Sequence, residues 1–335
     1  LTGISISMTG YGAPWAFILA LAIVAIPTIC IAALGSAVPN TGGNYTYVRD
    51  MLGPRTSFLY LSLLVAGQVI LASYAIGFAE YAQALFPDIN MMLAAAAIMV
   101  LCYLANLMGI IAAARFQSIM VVVLVGSLII YIFSGFTHIE DYSHYSNPDL
   151  VLPDGIGGFF AAAFLLRLGL IGSEFVSEFG GEMENPGKLI PMVMGISLLL
   201  VVILYIGIAI VATGVLPLDQ VQGKNLAATA QVVFSPAVYY AFIGGGIMVS
   251  LVTSLNAIFA WCTRGLYMAA EDGWLPKGLA VKNKFGTPYI FLTLFFLVGI
   301  APILTGLSLS YVSILANAVG AIFGLFPVFA LYNLS

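Results

Sequence analysis

The amino-acid sequence predicts an all-α polytopic membrane protein, and three observations carry that prediction. The first is composition: 62% of the 335 residues are hydrophobic, 7% are charged, and the mean hydropathy is +1.09. Charged residues make up about a quarter of an ordinary soluble domain, so a water-soluble globule is excluded. The second is a segment, 155–191, that begins as a membrane helix and then stops behaving as one. The third is a count: a partial helix and four apolar runs precede Asp154, and a broken helix and four runs follow it. An odd number of crossings in each half turns the second half over relative to the first, which is the arrangement of inverted repeats.

In chain order, residues 1–8 are too short to span, since a crossing takes about 20 residues. Without a basic flank they are not a signal peptide; they read as the second half of a helix whose first half is missing, and the chain as a fragment. The first complete span is 17–38, with a kink expected at Pro27. A polar loop follows at 39–44 and runs through Arg49 to Arg55. Residues 56–86 form a long, tilted span with Gln68 near its middle. The next is 91–107, and a turn at 112–115 leads into 119–136. The hydrophilic loop 138–154 holds both histidines, which read as solvated. After the broken helix come spans at 189–215, 239–270, 290–304 and 311–331, with Asp219 and Lys224 in the loop after the first and a charged loop at 271–284 after the second.

Charge sorts the loops. Alternate loops hold Arg49, Arg55, Arg115, Lys188, Arg264, Lys277, Lys282 and Lys284, while the opposite set holds only Lys224. The positive-inside rule puts the 39–55 and 271–287 loops in the cytoplasm and the acidic 138–154 loop outside, in a multi-pass protein of the plasma membrane. A net charge of −4 without a basic patch excludes nucleic acid as a partner. Cys30, Cys102 and Cys262 lie in separate apolar runs and make neither a disulfide framework nor a metal site.

The broken segment concentrates the chemistry. Glycines at 169 and 172 each cost roughly 1 kcal/mol against alanine in a helix, and Arg167, Glu174 and Glu178 sit where charge is expensive. A broken helix is tolerated in a bilayer only where it lines a cavity or is buried in protein, and such half-helices bind substrates in secondary transporters. The plainer alternative is an unbroken span whose glycines serve helix packing.

Three blocks of sequence carry a resemblance. Residues 39–49, PNTGGNYTYVR, are similar to the P-x-x-G-G-x-Y-x-Y-x-R loop of the amino acid–polyamine–organocation (APC) superfamily of transporters. Gly172-Ser173-Glu174, Glu182 to Pro186 and Ile190-Pro191 resemble its G-F-E, E-x-x-N-P and I-P signatures around helix 6. Arg264, Asp272 to Pro276 and Thr287-Pro288 resemble the run after its helix 8. The blocks fall in order over nearly the whole chain. The resemblance implies the leucine-transporter-type fold: a first repeat at 1–137, an extracellular loop at 138–154 and a second, inverted repeat at 155–335. Helices 1 and 6 would be discontinuous, with Leu1 in the break of helix 1 and the chain ending at helix 10 of twelve.

The resemblance also implies a site. Backbone amides of Thr2, Gly3, Ile4 and Ser5 would face a substrate carboxylate at a helix N-terminus, and carbonyls of Leu168, Gly169, Leu170 and Ile171 would face its ammonium, with Gly172 permitting close approach. Gln68 would face the cavity or bind helix to helix. Thr253 and Ser254 resemble the hydroxyl pair that holds sodium in some members, or they bond back to their own helix. Leu124 stands where proton-coupled relatives carry a lysine, which leaves sodium coupling, proton coupling by another route, or exchange open; no further cofactor is expected. Arg167 departs from the family's apolar residue and would pair with Glu174 or Glu178, or bind an anion. Arg49, Asp50, Glu182, Glu184, Arg264 and Asp272 would form a cytoplasmic gate.

The favoured function is therefore a secondary active transporter that moves amino acids across the membrane by alternating access, with membrane lipid around it. The alternatives are a polyamine or amine carrier of the same superfamily, or a channel or sensor on the same fold. An intramembrane enzyme would need a buried nucleophile and base or a metal pair, and no His lies in any span. The oligomeric state is left open.

Overall fold

An apolar run in a bilayer can satisfy its backbone only by closing every hydrogen bond within itself, and the fold follows that demand. The structure, a computed structural model, describes residues 1–40, 42–109 and 113–334, with side chains at all of these except 113–117 and 182. Thr41 of the loop motif and Ala112 of the expected turn fall outside the described residues, as do the side chains of Arg115 and Glu182.

The helices run as follows. After α1 (Thr2–Thr9) a 3-10 turn at Gly10–Gly12 leads into α2 (Ala13–Ala37). Then come α3 (Gly43–Leu52), α4 (Pro54–Gly67), α5 (Ile70–Leu85), α6 (Met91–Leu107) and α7 (Ala113–Phe136). The second half holds α8 (Gly155–Leu170), the 3-10 helix α9 (Ser173–Glu182), α10 (Pro186–Gly214), α11 (Pro236–Glu271), α12 (Tyr289–Leu304), α13 (Leu309–Phe323) and α14 (Phe326–Leu334). Local chemistry sets the starts: Asn90 and Ser308 side chains accept from Leu93 and Tyr311 backbone N–H groups, and prolines occupy the first turn of α2, α4 and α10. Seven stretches of the described chain are long and apolar enough to cross a membrane, with α6 and α12 as shorter apolar helices. The protein is an all-α, multi-pass membrane protein.

Four local expectations change. The polar 39–55 loop contains the helix α3, whose residues 43–48 are buried. The long span at 56–86 is interrupted at Gln68 and Val69, where the Gln68 amide bonds back to the Leu64 carbonyl at 3.1 Å and competes with the helix ladder. The last span is interrupted at Gly324 and Leu325. His144, expected to be merely solvated, stacks against Tyr11 at 4.7 Å.

Hydrogen bonds sort the loops into two ends. At one, Asn40 accepts from the Gly181 amide at 3.2 Å, Tyr45 donates to Asp272 at 2.8 Å, and Asn283 donates to the Leu107 carbonyl at 2.7 Å. At the other, Thr9 donates to the Val151 carbonyl at 3.0 Å and Trp15 to the Tyr145 carbonyl at 3.1 Å. The basic loops thus share one end and the 138–154 loop lies at the other.

The interior divides. Ile6, Phe17, Val24, Leu166, Leu170, Leu198 and Val202 form one core, joining α1, α2, α8 and α10. Leu71, Met99, Leu255, Phe259, Leu292 and Phe295 form another, joining α5, α6, α11 and α12. A third, around Tyr131 and Phe242, packs α7 against α10 and α11.

Candidate functional site

The site begins where α8 stops. Its closing bond runs from the Ile171 amide to the Arg167 carbonyl at 3.2 Å, after which Ile171 is extended and Gly172 has φ 146°, a conformation that favours glycine. The carbonyls of Leu168, Gly169, Leu170 and Ile171 therefore lie past the last closed turn. The interruption falls at Ile171 and Gly172, inside the stretch the sequence marks. Gly169 has a separate use: a Cβ there would stand 3.1 Å from the Tyr205 ring, so its bareness lets α10 approach.

α1 runs antiparallel beside α8, with the Met8 carbonyl against Gly158, so the start of α1 points along α8 toward this end. Ser5 donates its amide to the Leu1 carbonyl at 2.9 Å, so the N–H groups of Thr2, Gly3 and Ile4 precede the first closed turn. The Ser5 hydroxyl bonds to the Thr2 carbonyl at 2.7 Å. α1 packs along α8, and their side chains share one core. Gly223 donates its amide to the Gly3 carbonyl at 2.8 Å, and the Lys224 backbone presses so closely on Gly3 that no side chain fits. Gly3 lies six residues, or ~9 Å of helix, below Thr9, so the 215–226 loop dips to that depth.

The charged residues do not pair as expected. Arg167 is 7% exposed and turns to α13, donating to Asn317 Oδ1 at 2.6 Å, while Asn317 donates in turn to the Phe164 carbonyl. Among the described residues it makes no ion pair with Glu174 or Glu178. A buried cation that meets an amide and the C-terminal end of a helix is only partly compensated. Glu178 accepts the Asn44 amide at 3.3 Å, with its carboxyl lodged against Gly43. Arg264 reaches the Glu178 carbonyl oxygen at 3.5 Å and stacks over Phe179. Arg49 meets Asp272 and, at 2.8 Å, Asp50; Tyr45 joins Asp272, and burial followed by that hydrogen bond holds its phenol well above the usual range. The expected gate is thus two clusters, one around Asp272 and one around Glu178.

Other candidates are placed plainly. The Thr253 hydroxyl bonds to the Ser250 carbonyl of its own helix at 2.8 Å, and Ser254 is half-buried beside it. Both follow a π-helical stretch, Ala241–Met248, within α11. Gln68 is 2% exposed with Oε1 unpartnered. Sequence reasoning missed Asn317, Asn44 and Tyr60. Asn317 carried a signal, being the lone amide in the apolar run 312–323. A cavity of about 480 Å³, lined by Asn106, Thr263, Arg264, Tyr267 and Lys282, opens among the basic loops, away from the break.

Comparison with known proteins completes the picture. Residues 1–333 match the profile of a family described as amino acid permease. The chain belongs to that family, within the APC superfamily. The family member is 26% identical over 314 residues to the branched-chain amino acid permease of Bacillus subtilis, covering 87% of this chain and 66% of that protein. It is 26% identical over 321 residues to the serine/threonine exchanger of the same organism, covering 90% and 71%, and 25% identical over 312 residues to its methylthioribose transporter, covering 86% and 66%. The chain thus spans about two thirds of the length of these relatives. They are named as permease, exchanger and transporter, none of them as an enzyme.

Proposed function

We propose that the protein carries amino acids across the membrane by alternating access, holding the substrate zwitterion between the first turn of α1 and the last turn of α8. The observation that carries this reading is polarity. Amides ahead of the first closed turn of α1 and carbonyls past the last closed turn of α8 lie toward the same end of an antiparallel helix pair, which suits a carboxylate at one and an ammonium at the other. The names of the relatives support amino acids as substrates, two being named for branched-chain residues and for serine and threonine.

The divided core supports the motion. The body of α1, α2, α8 and α10 would rock against that of α5, α6, α11 and α12, within inverted repeats at 1–137 and 155–335. α9 packs on α2 and α10 and goes with the first body, while α3 and α13 share the second core, and the contacts between the bodies are separable ones: Arg167 with Asn317, Glu178 with Asn44, and Phe175 stacked on Trp261. With the basic loops in the cytoplasm, the first pair closes the outer path and the others the inner one.

Uptake of a labelled amino-acid mixture into proteoliposomes bearing the full-length protein tests this reading, with sodium inside-directed and again with choline in its place. Concentrative uptake only with sodium, abolished by Thr253→Ala, makes Thr253 and Ser254 ion ligands. Uptake that needs internal amino acid and ignores sodium makes the protein an exchanger. No uptake under either condition sinks the zwitterion reading in favour of amines.

A further inference from the structure

Nine buried side-chain atoms among the described residues have no hydrogen-bond partner, and every one is an oxygen. Five are pure acceptors: Asn40 Oδ1, Asn44 Oδ1, Gln68 Oε1, Glu174 Oε2 and Glu178 Oε2. The rest are hydroxyls. Buried polar groups are ordinarily satisfied; the hydroxyls can donate as well as accept, but among the described residues the two carboxyls have no positive charge set against them. We propose that Glu178, with Asn44 and Glu174, forms a binding site for a small monovalent cationic group just beyond the break in the α8–α9 segment. The cationic group is either a primary ammonium on the substrate's side chain or an alkali ion; its use in transport rests on the permease reading above, its existence does not.

The site is built from three elements. Glu178 on α9 is 5% exposed; its Oε1 takes the Asn44 amide at 3.3 Å and its Oε2 takes nothing. Room for that carboxyl comes from Gly43, whose φ of +45° and missing Cβ leave the space the carboxyl fills. Asn44, 3% exposed, opens α3 and turns its side chain toward Tyr60 of α4, a phenol on which Glu178 and Glu174 both act. The charged and titratable groups facing Glu178 are Arg264 from α11, Tyr47 from α3 and Tyr60 from α4. Arg264 bonds the backbone oxygen of Glu178, and among the described residues no cationic nitrogen lies within 4 Å of either buried carboxyl. Arg167, the other buried cation, is turned to Asn317. Carboxyl, amide and hydroxyl oxygens together are the ligands a hard cation takes, and the same oxygens match the three donors of an ammonium.

The test uses thermal stability of the full-length protein in detergent, because a ligand of the folded state raises the melting temperature whether or not transport occurs. Sodium chloride is compared with choline chloride, and lysine with leucine at equal concentration. The expected result is a shift with sodium or with lysine that vanishes in Glu178→Gln, which keeps an oxygen for the Asn44 amide and loses the charge. A sodium shift identifies the alkali ion, and a lysine shift without sodium identifies the substrate's ammonium. Uptake of the preferred amino acid then falls about tenfold or more in the variant, as loss of a charge-assisted contact requires. If Glu178→Gln does not fold, Asn44→Ala, which keeps the backbone amide and the carboxylate, must weaken the same shift. Equal melting temperatures in all four conditions overturn the site, as does a shift that survives both substitutions. Uptake driven by a proton gradient and blind to sodium and to the substrate's charge also overturns it, since the carboxyls then carry protons. A cation shift without uptake of any amino acid leaves the site standing and removes the transporter reading instead.

Discussion

Arg167 and Asn317 are worth more together than their chemistry suggests singly. Removing Asn317 leaves a buried guanidinium without its amide, whereas replacing Arg167 with an apolar side chain removes the charge that needed company. Asn317→Ala is therefore expected to destabilise the protein by about 3 kcal/mol, the cost of an uncompensated buried charge, and Arg167→Met by less. Melting curves of the two variants in one detergent check the order. Gly43 makes a second case: alanine there meets a left-handed backbone, about 1–2 kcal/mol, and the Glu178 carboxyl as well. Gly43→Ala should lower the melting temperature, while Gly53→Ala, with nothing within 4 Å of its added Cβ, carries only the backbone term. Tyr145 gives a pH dependence. Its phenol donates to the Ile210 carbonyl at 2.7 Å, and burial pushes it up to about 12 from the usual value near 10. A raised acid holds its proton longer when folded, so this contribution is intact below about pH 10 and is lost between about 10 and 12. Tyr145→Phe should show a shallower loss of stability over that alkaline range.

At the scale of the element, the break between α8 and α9 is held open by one residue. Gly172 sits at φ 146° with open space around it, so a methyl group there meets backbone strain rather than a neighbour. Gly172→Ala should thus move the break or straighten it, costing uptake far more than stability. Uptake and melting temperature measured on the same preparation separate the two. This break was legible in the sequence because glycines and charges interrupt an apolar run, and nearly all spans were legible for the complementary reason. The interruptions at Gln68 and Gly324 were not, because neither a side chain turning back on its own helix nor a contact between distant helices leaves a pattern in the sequence. Gln68 folds back on Leu64, and Gly67 lies against Phe323 of a distant helix. Likewise α3 was hidden because its polar, glycine-rich start reads as loop until Glu178 supplies an acceptor for the Asn44 amide. Charge told which loops share an end; it did not tell that Arg167 would choose Asn317 over two glutamates.

Across the whole molecule, two apolar cores are joined by specific polar and aromatic contacts, and a third core packs α7 against α10 and α11. Tying the first two together should stop the cycle: cysteines at Phe175 and Trp261, whose rings stack 3.6 Å apart, joined by a short thiol-reactive linker in a background without the native cysteines, should abolish uptake. A linker between Ser36 and Gly187, which bond at 2.5 Å within one body, should leave it intact. Equal loss from both linkers would contradict a two-body motion. The divided core has one more consequence, mechanical in kind. If the bodies rock, their outlines in the plane of the bilayer change at the joint, and the surrounding lipid must be displaced each time. Acyl chains that resist lateral displacement would then slow turnover without touching substrate affinity, so the membrane itself would act as a spring on the cycle.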